Sequence, residues 1–561
     1  MTGTFLARRS LDAIAHVRLV VGMEIHVELA TRTKLFTRVA NPADPATGMH
    51  DHAGANTLID PVVLALPGAL PVMNKAAVEL SILVGLALGC RIATHSKWDR
   101  KSYFYPDLPK AYQISQYDLP LCFDGAVEVP AVDERGFPDA SGTSTSTSTP
   151  GPAPAPAPAP AHIGIIRAHL EEDAGKLLHE APGGGAIDFS IADYNRAGTP
   201  LLEIVTQPDF TSSAQCVMFA KLLRATCRLL RATAGVMQQG HMRFEPNINC
   251  VLTMHDGSVI KTPIVEVKNL NSFRSLQGAI EYEFANQPAR WVEDGRVFGP
   301  GSKVTRGWDD GPGATYVQRE KEDAHDYRYF PDPDLPPVHI DVAWLESIRM
   351  RLPELPLSRW RRYVGEYAIA SKEAFALIDE PGSCFFYEQV IEDIVTLGHE
   401  RNRAGKIAAN LVLQQLQRRA NERGGNEEQR GVEALGLAAS TVACCAVLRE
   451  NGEVNNQSLE TLLDAMIATP AMVLDIPLSA QQEHVRDVAR QAGLLIVRDD
   501  AQTSRWIDQV LEANAKVAQD VQQGKVAAAG RLVGEVMKLA GGKADAKSVR
   551  SMIFEKLGVK E

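Results

Sequence analysis

In the run Val20-Val21-Gly22-Met23-Glu24-Ile25-His26-Val27-Glu28-Leu29, a period of two sets Glu24, His26 and Glu28 on one strand face and Ile25, Val27 and Leu29 on the other. Two carboxylates and an imidazole on one surface are also what the wet face of a half-buried strand looks like, so the segment needs company before it reads as chemistry. Company comes from Arg243-Phe244-Glu245-Pro246-Asn247-Ile248-Asn249-Cys250, where Arg243, Glu245, Asn247 and Asn249 share one parity and Phe244, Ile248 and Cys250 the other. The stretch Glu266-Val267-Lys268-Asn269-Leu270-Asn271-Ser272 places Glu266 and Lys268 on one face, and His169-Leu170-Glu171-Glu172-Asp173 adds a run of acids. Magnesium favours such hard oxygen ligands, usually beside water or phosphate oxygens. Taken singly, the acid run also suits a solvated helix start and Lys268 a surface ion pair.

Other chemistries are absent from the sequence. The Gly-Lys pairs beginning at 175, 405, 524 and 542 are followed by Leu, Ile, Val and Ala, so no P-loop is present and any nucleotide site is of another kind. No G-x-S-x-G elbow or comparable nucleophile motif occurs. Hydrolysis of glutamine, which needs an activated Ser or Cys, is therefore not expected from this chain.

The elements that must position these groups fall into two halves. From about Val17 to Pro337 short β-branched runs alternate with Gly- and Pro-rich turns, as in Val20 to Leu29, Ile163 to Ala168 and Ile264 to Lys268. Beyond about Val342 the spacing becomes helical, for example in Ala408 to Arg419 and Arg505 to Val517. The expectation is an α+β fold: a mainly antiparallel-sheet cradle domain followed by an all-α region. The expected domains are an extension over 1–16, a cradle over 17–340, a helical domain over 341–409 and a helical tail over 410–561, with a break at Leu352-Pro353-Glu354-Leu355-Pro356. Residues 141–161 are Ser/Thr- and then Pro/Ala-rich, a composition that cannot bury a core and reads as a disordered insertion.

Composition limits the setting. A chain of 561 residues with 45% hydrophobic residues suits several globular domains. Its longest apolar stretch, Ala76 to Cys90, carries Glu79 and falls short of the roughly 20 residues a membrane span needs. Eight cysteines without a C-x-x-C pair suit a reducing compartment. No secretory signal is visible, so the cytoplasm is expected, with an organelle matrix as the alternative. A net charge of −11 argues against a chain-wide nucleic-acid footprint, although a local basic surface can still bind phosphate.

Taken in order, these segments resemble the GatB family, whose members are subunits of aspartyl/glutamyl-tRNA(Asn/Gln) amidotransferases. The resemblance rests on Val21 to Leu29, on Lys97-Trp98-Asp99-Arg100-Lys101-Ser102-Tyr103-Phe104-Tyr105-Pro106-Asp107 running on to Asp118, and on His169 to Lys176. It continues through Asp193-Tyr194-Asn195-Arg196-Ala197-Gly198-Thr199-Pro200 to Glu203, Glu266 to Phe273 and His325 to Asp334. It implies that the cradle binds Mg2+ and ATP, phosphorylates the carboxylate of Glu-tRNA(Gln) or Asp-tRNA(Asn), and lets ammonia displace phosphate. The implied partners are the amidase subunit GatA, the small subunit GatC and tRNA, with no membrane and no DNA. By the same resemblance Glu24, His26, Glu172, Glu245 and Glu266 hold metal, Glu24, His26, Glu172 and Glu266 are catalytic, and Arg243, Asn247, Lys268 and Asn269 bind ATP.

One departure stands out. Where the family usually reads Met-Glu-Glu-Gly-Ser-Leu-Arg-Cys-Asp-Ala-Asn, this chain has Met237-Gln238-Gln239-Gly240-His241-Met242-Arg243-Phe244-Glu245-Pro246-Asn247. Glu245 is one methylene longer than Asp, and Gln238 and Gln239 replace acids, which is expected to weaken the local negative field. The region from about 410 resembles a YqeY-like tail, which implies tRNA contact. From residue 521 on, eight lysines and arginines stand against four acids, a local reversal of sign suited to backbone phosphates. Two other readings compete: a catalytically silent tRNA-binding relative, which the altered 238–245 segment suggests, and the archaeal-type subunit specific for Glu-tRNA(Gln).

Overall fold

The computed structural model describes residues 9–47, 53–133, 136–139, 160–181, 184–320, 327–423, 431–468, 476–496, 500–541 and 544–559. The chain forms two compact units, Met1–Arg359 and Trp360–Glu561. All but the last two residues of the Ser/Thr/Pro/Ala stretch at 141–161 lie outside the described residues.

The first unit is built on a ten-stranded sheet. Its strands are β1 (Ile14–Glu28), β2 (Arg91–Ile92), β3 (Cys122–Val129), β4 (Ala161–Glu172), β5 (Pro200–Thr206), β6 (Met242–Met254), β7 (Val259–Lys261), β8 (Val265–Lys268), β9 (Val304–Asp309) and β10 (Ala314–Glu320). The order across the sheet is β10-β9-β8-β6-β1-β5-β4-β3-β2, with β7 on β6. Every pairing is antiparallel except β8 with β9, which requires the crossover helix Phe273–Asp294 between them.

Alternation along the strands divides the sheet into two chemical faces. Val21, Met23, Ile25 and Val27 of β1, with Phe244, Ile248, Cys250 and Leu252 of β6, are buried. Trp291 of the crossover helix packs on Cys250 and Leu252, and Val292 closes the same cluster. The opposite face carries the acids and histidines. Ser272 caps the crossover helix by accepting from the amide of Ser275, and its αL C-cap, Gly295, adopts a φ of +71° that a side chain would strain.

Three short strands, Asp99–Ser102, Tyr112–Ser115 and Phe330–Pro331, form a separate small sheet. It ties the segment after Trp98 to the segment around Phe330, more than 200 residues away in sequence.

The second unit is helical in its described residues. Helix Arg401–Asn410 runs on through the π-helical Leu411–Leu416 into Gln417–Arg423, so residue 410 sits inside one helical run. The helices Asp500–Ala513, Ala515–Gln522, Ala529–Leu539 and Ala546–Leu557 share a core of Ile507, Val521, Leu532, Val536, Val549 and Ile553. No helix among the described residues is long and apolar enough to cross a membrane.

Candidate active site

Strand register assembles the polar face. His26 in β1 lies across from Glu203 in β5 and from Arg243 in β6, and Glu203 lies across from His169 in β4. Two residues along, Glu24 faces Glu245, and Glu266 of β8 pairs with Asn247 of β6. Directly opposed residues have Cβ atoms about 4.5–5.5 Å apart, so pairing alone crowds these groups together.

The crowding is close. The Nε2 of His26 lies 3.6 Å from Glu24, 3.7 Å from Glu203 and 3.9 Å from Glu171, and its Nδ1 lies 3.9 Å from Glu245. The Nε2 of His169 lies 3.6 Å from Glu203 and 4.0 Å from Glu171. These groups line a cavity of about 430 Å³, which Lys101, Arg167, Lys268 and Lys303 also enter. Glu24, His26 and Glu203, or His169, Glu171 and Glu203, or Glu24, Glu245 and Glu266, bring one ligand atom each to within 4.8 Å of the others.

Burial and like charge set the protonation. Burial, reinforced by Glu203, raises the carboxyl of Glu24. Burial raises Glu171 to about 7, with Lys101 opposing and Glu203 reinforcing. For His26 burial works against the imidazolium, but the hydrogen bond with Glu203 and the charges of Glu245 and Glu203 outweigh it and hold the ring up at about 9. His169 goes the other way: burial, with Arg167, Lys101 and His26 nearby, lowers it to about 4 although Glu203 opposes. Two histidines on one sheet face thus sit on opposite sides of neutrality.

The donor set suits a divalent cation. Carboxylate oxygens from five strands and two imidazoles converge, and the Nδ1 atoms of His26 and His169 are buried without a hydrogen-bond partner. Counter-charge already present is supplied by lysines. Lys268 pairs with Glu245 and stands 3.5 Å from Glu266, which also lies 3.3 Å from Lys303 and accepts from the hydroxyl of Thr305 at 3.2 Å. Burial disfavours the ammonium of Lys101, yet the nearby Glu171 and Glu203 keep it charged.

Of the residues expected from sequence, Glu24, His26, Glu245, Glu266, Arg243 and Lys268 line this cavity. Glu172, also expected as a metal ligand, is not part of this lining. It is the neighbour of Glu171 in β4 and points the other way, where Lys110 holds it at 2.5 Å and the amide of Ile114 donates to it at 3.0 Å. The guanidinium of Arg243 is bound to Asp173 at 2.7 Å. Burial alone would raise Asp173, but Arg243 and Arg196 bring it down to about 2. Asn247 and Asn269 are outside the cavity lining: Asn269 ends β8 at a φ of +65° and its amide reaches the hydroxyl of Tyr316 at 3.4 Å. Gln238 and Gln239 also stand away from the lining, so their exchange for acids leaves the cavity's own carboxylates intact.

Sequence reading missed Glu203, His169, Glu171 and Lys101. Continuing the period-two reading of Ile163 to Ala168 through the acid run finds His169 and Glu171 on one face and Glu172 on the other.

The sheet with its carboxylate and imidazole cavity falls within a match to a catalytic-domain profile, and much of the helical region within a second match. A sequence profile described as the GatB/GatE catalytic domain matches residues 19–346, and one described as the GatB domain matches residues 389–557. Relatives extend along nearly the whole chain. The GatB-type chain of the aspartyl/glutamyl-tRNA(Asn/Gln) amidotransferase of Moorella thermoacetica is 36% identical over 539 residues, covering 96% of this chain and 99% of its own. The proteins of the same name from Thermomicrobium roseum and Cupriavidus pinatubonensis are each 37% identical, over 96% of this chain and 98% and 99% of theirs. The chain belongs to the GatB family and is an amidotransferase subunit, one component of a multi-subunit enzyme.

Proposed function

We propose that the cavity on the polar sheet face binds Mg2+ and ATP and activates the carboxylate of Glu-tRNA(Gln) or Asp-tRNA(Asn) for amidation. The convergence of Glu24, His26, Glu171, Glu203, Glu245 and Glu266 in one cavity, with two orphaned imidazole nitrogens, carries this reading. When bound, Mg2+ supplies charge neutralisation that lets an anionic carboxylate approach an anionic phosphate. Glu24, His26 and Glu203, with Glu171 and Glu245 beside them, are the residues to hold it.

The protein's own cations do the remaining electrostatic work. Lys101, Arg167 and Lys303 enter the cavity and can take the phosphoryl oxygens, while Lys268 keeps Glu245 and Glu266 aligned. A carboxylate oxygen of the aminoacyl group forms a bond to the γ-phosphorus as the bond to ADP breaks. The nitrogen of ammonia then bonds to the acyl carbon, the carbon–oxygen bond to phosphate breaks, and the surplus proton leaves with phosphate. Ammonia comes from the amidase subunit GatA, held with GatC in the same complex, since no glutamine-hydrolysing nucleophile motif occurs here. The helical second unit binds tRNA through the lysines and arginines beyond residue 521. The setting is the cytoplasm.

The test is ATP-dependent formation of the acyl phosphate on Glu-tRNA(Gln) and Asp-tRNA(Asn) by the reconstituted complex. Labelled phosphate on charged tRNA, lost in the Glu203→Gln variant, is the expected result. Tight tRNA binding with no phosphoryl transfer to either substrate would reduce the chain to a binding component.

A further inference from the structure

Large aromatic side chains gather at one end of the cavity. Tyr117 and Tyr329 stack with ring centroids 4.1 Å apart and planes within 11°. Tyr327 meets Tyr329 edge to face at 6.0 Å, and Tyr103 meets Tyr327 in the same manner at 6.2 Å. All four line the cavity. The second unit shows what a stack used for packing looks like: Tyr363, Tyr367 and Tyr387 also contact ring on ring, and all three are buried. Tyr117, by contrast, is 60% exposed. A stacked pair whose outer ring is left in solvent beside a polar cavity forgoes the burial that rewards aromatic packing.

The exposed ring is held in place. The amide of Tyr117 donates to Asp99 at 3.1 Å, and Lys97 clamps Asp99 and Asp118 at 2.8 Å each. From the other side, the carbonyl of Tyr327 accepts from the amide of Ser102 at 2.9 Å, and Arg100 binds Asp332 at 2.7 Å. Two segments more than 200 residues apart are therefore fastened together to build one platform. Lys101 joins it to the acids: its ammonium lies 5.1 Å from the centroid of Tyr327 and feels Glu171 and Glu203 on its other side.

A fixed, open aromatic face next to cations and a phosphate-handling cavity matches the way proteins hold a nucleobase, whose π-face continues the stack. The geometry points to Tyr117, backed by Tyr329, as a stacking platform for an adenine ring. This rests on the proposed reaction, because both of its substrates bring an adenosine to the cavity: ATP, and the 3′-terminal adenosine that carries the amino acid on tRNA. Tyr117 is a positioning residue, since it holds the base and touches no reacting atom.

Equilibrium binding to the assembled complex tests this without turnover. ATP and uncharged tRNA are titrated against wild type, Tyr117→Leu and Tyr117→Phe, with the melting temperature of each variant as a check on fold. Loss of one stacked base weakens binding by about 5- to 150-fold, so Tyr117→Leu loses that much for one of the two ligands while Tyr117→Phe holds it. Weakened ATP assigns the platform to the nucleotide. Weakened tRNA, with wild type but not Tyr117→Leu discriminating against a tRNA whose terminal adenosine is replaced by cytidine, assigns it to the acceptor end. Unchanged affinity for both ligands in a folded Tyr117→Leu variant overturns the platform even if phosphoryl transfer proceeds. Conversely, a wild-type complex that binds adenosine through Tyr117 but transfers no phosphate keeps the platform and sinks the reaction assigned above.

Discussion

Glu171 and Glu172 are adjacent in β4 and identical in chemistry, and the structure sets them in different surroundings, Glu171 in the cavity lining and Glu172 against Lys110. Glu172→Gln removes the charge that balances Lys110, whose side chain is only 9% exposed against 2% for Glu172. Breaking a buried pair from one side costs about 3–5 kcal/mol, and since the amide still accepts from Ile114 the lower figure applies. With an unfolding entropy of about 2.1 cal/mol/K per residue over the 359 residues of the first unit, 3 kcal/mol corresponds to a fall in melting temperature of about 4 °C. Glu171→Gln removes a charge from the crowded cavity instead. Like-charge repulsion eases, so the melting temperature holds or rises, while phosphoryl transfer to charged tRNA falls by roughly 100-fold or more through loss of a carboxylate beside the reacting phosphate. Calorimetry and single-turnover phosphorylation on both variants decide. If Glu172→Gln melted like wild type and lost phosphoryl transfer, while Glu171→Gln kept it, the assignment of faces on β4 would be wrong.

Three further expectations follow from the same structure. Adding Mg2+ at about 100 times its Kd stabilises the first unit by about 2.7 kcal/mol, a rise of about 4 °C that Glu203→Gln abolishes; an equal rise in that variant would place the ion elsewhere. Lys34 is fully buried, donates to the carbonyls of Leu58 and Ala197 at 2.7 Å each, and has its pKa lowered to about 7 by burial, with Asp60 and Asp193 opposing. Between about pH 7 and 10 the unfolded chain therefore holds the extra proton, so wild type gains stability over Lys34→Met as pH rises, by at most about 1.4 kcal/mol per pH unit; urea midpoints that stay parallel from pH 7 to 9 would refute it. Replacing Arg531, Lys538 and Lys547 by Gln lowers the slope of log affinity for tRNA against log salt by roughly one per cation, and an unchanged slope leaves these residues as ordinary solvated surface.

Strand periodicity made half of the cavity legible. Glu24, His26, Glu245 and Glu266 fall on the wet face because β1, β6 and β8 alternate without interruption through them. That Glu172 stands outside the cavity lining was not legible while the three acids at 171–173 read as a block, whereas the strand continues to Glu172 and separates Glu171 from it by face. Asn269 came from the resemblance and not from alternation: its parity is opposite to that of Glu266 and Lys268, and its positive φ lies just past the end of β8. Glu203 stands in a plain apolar run, and only its pairing with His26 and His169, a matter of register between distant strands, gives it a role. The helical second half was visible from its spacing, but the π-helical turn at Leu411–Leu416 left no mark in the run Ala408 to Arg419.

The order of strands in the sheet also bears on how the chain is made. β1 is central, yet its partners β5 and β6 are encoded far downstream, with Glu24 matched to Val205 and Glu245. A ribosome adding 5–20 residues per second needs roughly 10–45 s to travel from Glu24 to Glu245. Until β5 emerges Val21, Met23, Ile25 and Val27, all destined for burial, have no partner strand, and until β6 emerges they have one on a single side only. The nascent amino terminus is thus an early client for a chaperone holdase, and slowing translation ahead of β6 lengthens the window in which it can aggregate.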